Sequence, residues 1–128
     1  MDTPATPSIR VLIVDDDQDL RGLLKAYLEG PGKCEVVGEA GDGEDGVRLA
    51  GELAPDVVVL DLKMPGLNGL DALPEVRRVA PEARILVFSS GSRADRDLAL
   101  ERGADGFRRK DDSMRDVVRD VRALAGRA

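Results

Sequence analysis

The sequence contains no histidine, and that absence removes several kinds of site. Without an imidazole the chain has no histidine metal site, no serine–histidine–aspartate triad and no residue that could carry a phosphohistidine. There is one cysteine, Cys34, so a disulfide framework is excluded, and we expect Cys34 to be a small buried strand residue. No run approaches the ~20 apolar residues that a membrane-spanning helix needs.

Charge and length narrow the class of protein further. The formal net charge of −6 argues against a dedicated nucleic-acid surface. The length of 128 residues suits one domain. Residues 1–8 contain two prolines and show no signal-peptide pattern. We therefore predict a flexible tail over residues 1–8, followed by a single domain over residues 9–128.

Short apolar runs alternate with amphipathic stretches along the chain. Strands are predicted over residues 9–14, 34–37, 56–60, 85–89 and 107–109. Helical periodicity follows each of them, over residues 20–28, 44–53, 70–79 and 94–102 and from residue 113 onward. This alternation predicts an α/β fold, a doubly wound (βα)5 arrangement in which a five-stranded parallel sheet has helices on both faces.

Composition also predicts where individual elements lie. The first, third and fourth strands are built on apolar runs and should be central, whereas the fifth carries Arg108 and Arg109 and should lie at an edge. Pro74 falls inside the third helix, where it removes one hydrogen bond and crowds the carbonyl of Leu70. We therefore expect a kink or a late, irregular start of that helix.

Acidic residues follow two of the apolar strands. Asp15 and Asp16 come after the first strand, and Asp61 comes after the third. The carboxyl ends of parallel strands share one edge of the sheet, where ligands of open α/β sheets bind. Three converging carboxylates would repel one another, and Mg²⁺ takes oxygen ligands of this kind. The pattern predicts a Mg²⁺ site, although helix capping by Asp15 and Asp16 is the simpler alternative.

Two further residue types suit phosphoryl transfer at this edge. Lys110 follows the fifth strand, where its charge would balance the acidic group and neutralise a transferred phosphoryl group. Ser89 and Ser90 end the fourth strand, where a hydroxyl can bond a phosphoryl oxygen. Asp61 itself could be a metal ligand only, or a nucleophile that holds an aspartyl phosphate.

Five motifs in order resemble the receiver domain of two-component response regulators. The resemblance covers roughly residues 9 to 125. The motifs are Val14-Asp15-Asp16, Leu60-Asp61-Leu62-Lys63-Met64-Pro65-Gly66, Phe88-Ser89-Ser90, Gly103-Ala104-Asp105-Gly106-Phe107, and Lys110.

The resemblance implies a function and a role for each matched residue. It implies the flavodoxin-like strand order 2-1-3-4-5 and a phosphoryl group accepted on Asp61 from a partner histidine kinase. It also implies a cytoplasmic location. Asp61, Ser89 and Lys110 match the catalytic set, and Ser89 and Phe107 match the switch pair. The implied cofactor is Mg²⁺, and the matching ligands are Asp16 directly, Asp15 mainly through water, Asp61, and the backbone carbonyl of Lys63.

The chain departs from the commonest receiver pattern at two of these positions. Phe107 occupies a place often held by tyrosine, so no hydroxyl is available there. Asp111 follows Lys110 where many receivers have proline, and this form is similar to the NarL/LuxR-type subfamily. Members of that subfamily usually carry a helix-turn-helix DNA-binding domain, so we expect either a freestanding receiver or an excised fragment of a transcriptional regulator.

The predicted output surface is the face formed by the fourth helix, the fifth strand and the fifth helix. Ser89 and Phe107 abut this face, and Arg108 and Arg109 would offer two cations on the edge strand. Its mixed charges permit a phosphorylation-dependent homodimer. We expect no direct contact of this domain with nucleic acid or membrane.

Three alternative functions remain open on the sequence. One is a receiver that acts as a protein-binding module without phosphorylation. A haloacid-dehalogenase-like phosphatase would need a second aspartate two residues after Asp61, where Lys63 stands. A flavodoxin-like nucleotide or flavin module would need a phosphate-binding Gly/Ser/Thr loop after the first strand, and the acidic residues there would repel phosphate.

Overall fold

The computed structural model describes residues 8–126, and most of the predicted tail, residues 1–7, lies outside them. Strands and helices alternate throughout the described chain. The strands are β1 (Ile9–Val14), β2 (Cys34–Ala40), β3 (Val57–Leu60), β4 (Arg84–Ser89) and β5 (Gly106–Arg109). The helices are α1 (Gln18–Glu29), α2 (Gly43–Leu53), α3 (Gly69–Val79), α4 (Arg93–Glu101) and α5 (Met114–Leu124).

The strands form one parallel sheet in the order β2-β1-β3-β4-β5. The predicted doubly wound fold and strand order 2-1-3-4-5 are therefore confirmed. The apolar strands β1, β3 and β4 are internal, and the charged strand β5 is at an edge, as predicted. This order brings the carboxyl ends of β1 and β3 side by side, since Val14 pairs with Leu60.

Alternating side chains of the sheet build two separate core layers. On one face, Leu12 and Val14 pack with the helices α2, α3 and α4. On the other, Val11 and Ile13 pack with α1 and α5. Strand side chains alternate in this way because the pleat directs successive residues to opposite faces. Cys34 is buried in the second layer, as expected, and its thiol donates to the carbonyl of Gly32 at 3.4 Å.

Several element bounds differ from the prediction. The strand β2 runs to Ala40, three residues farther than predicted, because residues 38–40 continue to pair with the end of β1. The predicted late start of α3 is wrong: the helix begins at Gly69, where the side chain of Asn68 caps it by accepting the N–H of Asp71 at 3.0 Å. Pro74 lies inside this helix without ending it.

None of the helices in the described part of the chain has both the length and the apolar character needed to cross a bilayer.

Candidate metal and phosphoryl-acceptor site

Three carboxylates meet at the carboxyl edge of the sheet. Asp15 and Asp61 are buried, with 4% and 3% exposure, whereas Asp16 is exposed. Backbone bonds fix the first two, because the N–H of Asp15 donates to Ala40 and that of Asp61 donates to Val14, each at 2.9 Å. One oxygen from each of the three carboxylates lies within 4.8 Å of the others. The geometry therefore suits a hard divalent cation such as Mg²⁺.

Lys110 reaches the same group from the end of β5. Its Nζ lies 2.8 Å from Asp15 Oδ2 and 3.1 Å from Asp61 Oδ2. Its backbone N–H donates to the carbonyl of Ser89 at 3.1 Å, which ties the loop after β5 to the end of β4. One ammonium thus contacts two of the three carboxylates, and an acidic group of this kind favours a cation over an anion.

The charges of this cluster shift the proton affinities of its members. Burial raises the pKa of Asp15, and this effect outweighs the hydrogen bonds from Lys110 and from the N–H of Asp17. Burial alone would lower the pKa of Lys110, but the hydrogen bond to Asp15 and the charge of Asp61 reverse this and raise the pKa. Lys110 therefore remains an ammonium at neutral pH.

Ser89 has a buried hydroxyl without a hydrogen-bond partner among residues 8–126. It lies two residues beyond Val87, which pairs with Leu60 next to Asp61. An unsatisfied buried polar group costs about 1–3 kcal/mol, so this hydroxyl would gain from a hydrogen-bonding partner. A phosphoryl oxygen on Asp61 has the chemistry of such a partner.

An open cleft of about 480 Å³ lies beside the carboxylates. Asp16, Lys63 and Leu70 are among the residues that line it, and the N–H of Lys63 donates to Asp61 Oδ1 at 3.3 Å. The cleft gives a donor molecule access to the edge of the sheet where Asp61 lies. A metal-ligand role for the Lys63 carbonyl remains a prediction.

Phe107 is half-buried on β5 and packs against the core layer of α2, α3 and α4. It also lines a cavity of about 250 Å³ between α4 and β5, together with arginines on both elements.

The prediction that both Arg108 and Arg109 offer their charge to a partner needs correction. Arg108 is bound to Asp120 through two hydrogen bonds of 2.7 and 2.9 Å, and those bonds, more than any other contact, raise its pKa. Its charge is therefore compensated within the chain.

Arg21 is a site residue that the sequence pattern did not indicate. From α1 it donates to the carbonyl of Asp15 at 2.6 Å and to Glu39 on β2 at 3.1 Å. It thereby fixes the peptide group that joins Asp15 to Asp16. No spacing rule connects these positions, because the contact depends on how α1 lies across the end of β2.

A doubly wound sheet with an acidic group and a lysine at its carboxyl edge defines a class of phosphorylation-controlled signalling domains. The chain belongs to the response regulator receiver domain family, whose model matches residues 11–122. It is 42% identical over 123 residues to the nitrate/nitrite response regulator protein NarL of Escherichia coli. The aligned region covers 95% of this chain and 55% of NarL. The chain therefore spans about half the length of that relative.

Solved structures agree with this assignment. The signal receiver domain of the response regulator NarL from Mycobacterium tuberculosis superposes with a TM-score of 0.89 at 34% identity, covering 94% of this chain and 98% of that one. A response regulator protein from Burkholderia pseudomallei, with a phosphorylated aspartic acid, a calcium ion and citrate, superposes with a TM-score of 0.80 at 26% identity. That match covers 91% of this chain and 68% of the other. The chain is of the NarL type within the family.

Proposed function

We propose that this chain accepts a phosphoryl group on Asp61 from a partner histidine kinase and changes conformation in response. The observation that carries the proposal is the position of the Asp61 carboxylate, which lies in one group with the carboxylates of Asp15 and Asp16 and contacts the ammonium of Lys110. The phosphorylated aspartic acid of the Burkholderia pseudomallei protein supports the same chemistry.

In phosphoryl transfer the main task of the protein is to place positive charge beside the transferred phosphoryl group. A carboxylate oxygen of Asp61 attacks phosphorus, and the bond from phosphorus to the donor breaks, so the donor leaves with the electron pair. Asp15, Asp16, Asp61 and the carbonyl of Lys63 would hold Mg²⁺, which supplies positive charge to the transferred group. The ammonium of Lys110 is placed to pair with a phosphoryl oxygen. In this proposal the chain catalyses only its own phosphorylation and dephosphorylation.

Phosphorylation of the full chain by a small donor tests the proposal. Incubation with acetyl phosphate and Mg²⁺ should add one phosphoryl group, detected by intact-mass spectrometry. An excess of chelator should prevent the addition, because the acidic group then repels the donor. A chain that stays unmodified under these conditions and with purified histidine kinases would contradict the proposal and favour a receiver that acts by binding alone.

Mg²⁺ binding should depend on Asp16 more than on Asp15. Both oxygens of Asp15 already accept hydrogen bonds or ion pairs, from Asp17 and Lys110, whereas Asp16 is exposed to the cleft. We expect Asp15→Ala to weaken Mg²⁺ binding about tenfold, as for a residue that acts through water, and Asp16→Ala to weaken it more. Isothermal titration measures both, and equal or reversed losses would reject this division of roles.

Ser89→Ala should separate phosphorylation from the response. Because the hydroxyl lacks a partner in this state, we expect the variant to be as stable as the wild type or up to about 1 kcal/mol more stable. Labelling of Asp61 should persist. The NMR shift changes that beryllofluoride causes around Phe107 should shrink markedly, since the bond from Ser89 is lost. Shift changes of full size would remove Ser89 from the switch.

The longer relatives suggest what this domain controls. We propose that the chain controls a transcription-regulating domain of a longer protein, as is suggested by the transcriptional regulatory protein LiaR of Bacillus subtilis, to which the chain is 39% identical while covering 56% of its length. The surface formed by α4, β5 and α5 is proposed as the contact with that domain and as the interface of a phosphorylation-dependent homodimer.

This homodimer should weaken as salt rises, because exposed ion pairs contribute roughly 0–1 kcal/mol each and are screened by salt. Light scattering with and without beryllofluoride at two salt concentrations measures this.

A further inference from the structure

Pro74 leaves a backbone carbonyl in α3 without its usual donor. In a regular helix the N–H of residue 74 would donate to the carbonyl of Leu70, and proline has no N–H. The carbonyl of Leu70 instead accepts a hydrogen bond from Nη1 of Arg102 at 3.0 Å. Arg102 is the C-cap residue of α4, so the replacement donor comes from a neighbouring helix.

The turn that Arg102 holds is packed directly on Asp61 and Leu62, the two residues that follow β3. We call residues 69–72, the first turn of α3, the entry turn. The N–H of Gly69 donates to the carbonyl of Leu62 at 2.9 Å. A Cβ at Gly69 would meet the carbonyl oxygen of Asp61, and would lie 2.6 Å from the Cα of Leu62. Any displacement of the entry turn therefore displaces the backbone beside Asp61.

The entry turn also borders the route to the site. Leu70 lines the cleft together with Asp16 and Lys63. The guanidinium of Arg102 thus ends at the carbonyl of a residue that lines the same cleft as Asp16. Its second contact, to Asp71 Oδ1 at 3.3 Å, is an ion pair between exposed side chains and holds the turn only weakly.

We propose that Arg102 is a positioning residue for phosphorylation: it replaces the N–H that Pro74 lacks and so holds the entry turn against the backbone of Asp61 and Leu62. The inference rests on the proposed function, because the position that it fixes is that of the acceptor. It makes α4 a support of the acceptor loop as well as part of the proposed output surface.

The test is a double-mutant cycle between positions 74 and 102. Arg102→Met removes the donor, and Pro74→Ala restores the N–H within α3. Both side chains are exposed, so neither change opens a cavity in the core. Arg78→Met is the matched control, because it removes an exposed arginine of α3 whose contact is an ion pair with Glu75. Asp71→Asn removes the ion pair and leaves the carbonyl of Leu70 in place.

Two readouts are needed, one of which does not involve phosphate. In Arg102→Met we expect faster hydrogen exchange at the Gly69 amide and phosphorylation by acetyl phosphate slowed about two- to tenfold, the range for one hydrogen bond. In the double variant, with both Arg102→Met and Pro74→Ala, the exchange rate and the phosphorylation rate should lie within about twofold of those of the single variant Pro74→Ala. Arg78→Met and Asp71→Asn should match the wild type.

The possible failures have different meanings. If Arg102→Met behaves like Arg78→Met in both readouts, or if Pro74→Ala gives no rescue, Arg102 is not a positioning residue, while the proposed function stands. If Asp71→Asn reproduces the whole defect, the exposed ion pair carries the effect and the inference is wrong. If the wild-type chain itself accepts no phosphoryl group, the proposed function fails, and the role assigned to Arg102 fails with it.

Discussion

The Asp61→Asn chain should show no added phosphoryl group after incubation with acetyl phosphate and Mg²⁺, under conditions in which the wild type gains one. An amide oxygen is a far weaker nucleophile than a carboxylate, and the substitution also removes one negative charge from the metal site. Asparagine is close in shape to aspartate, so the backbone bond from Asp61 to Val14 should remain. Intact-mass spectrometry measures the result directly.

A matched control lies at the opposite end of the same strand. Asp56 directly precedes β3 and accepts the N–H of Arg10 at 2.8 Å, far from the carboxyl edge. Asp56→Asn should therefore be labelled like the wild type. Undiminished labelling of Asp61→Asn would show that another side chain accepts the phosphoryl group. Loss of labelling in both variants would indicate a general structural defect.

The substitution Gly69→Ala should lower the free energy of unfolding by about 3 kcal/mol or more, at the upper end of the range for overpacking. The added methyl group would meet the carbonyl oxygen of Asp61 and the Cα of Leu62, which are backbone atoms and cannot rotate away. The helix α3 would have to move off the sheet. Urea unfolding followed by circular dichroism measures the loss.

Gly22→Ala is the same substitution in a site with the opposite environment. Gly22 lies within α1 and is exposed, and a Cβ built there meets no other atom within 4 Å. Alanine favours the helix over glycine, so the free energy of unfolding should rise by roughly 0.5–1 kcal/mol. Similar effects of the two substitutions, in either direction, would contradict the packing described for Gly69.

Local sequence signals predicted which strands are central because burial differs between strands and the residue types follow that difference. The strand β3 is apolar throughout and is completely covered, whereas β5 carries two arginines and lies at the edge. The strand β2 was predicted too short. Its second half contains Gly38 and Glu39, residues that are uncommon in strands, and only the pairing with β1 shows that they continue it.

The predicted late start of α3 was wrong, because Asn68 caps the helix at Gly69 and a long-range contact compensates the defect that Pro74 causes. Pro74 does remove a hydrogen bond, but Arg102, distant in sequence, supplies another. Arg21 was missed because its contacts join α1 to the end of β1 and to β2, an arrangement that residue spacing does not reveal. The acidic residues and Lys110 could be assigned to one edge because each follows a strand directly. The orphaned hydroxyl of Ser89 could not be predicted, since it depends on every neighbour that surrounds it.

The two core layers differ in how far apart along the chain their residues lie. The layer of α2, α3 and α4 joins segments that follow one another closely. The other layer joins α1 with α5, so Leu24 and Leu28 share a cluster with Val117 and Val121. Closing so long a loop costs more conformational entropy than closing the short loops of the first layer. The second layer should therefore be completed last, and a chain emerging from a ribosome would keep the α5-covered part of one face of its sheet exposed until α5 has been synthesised.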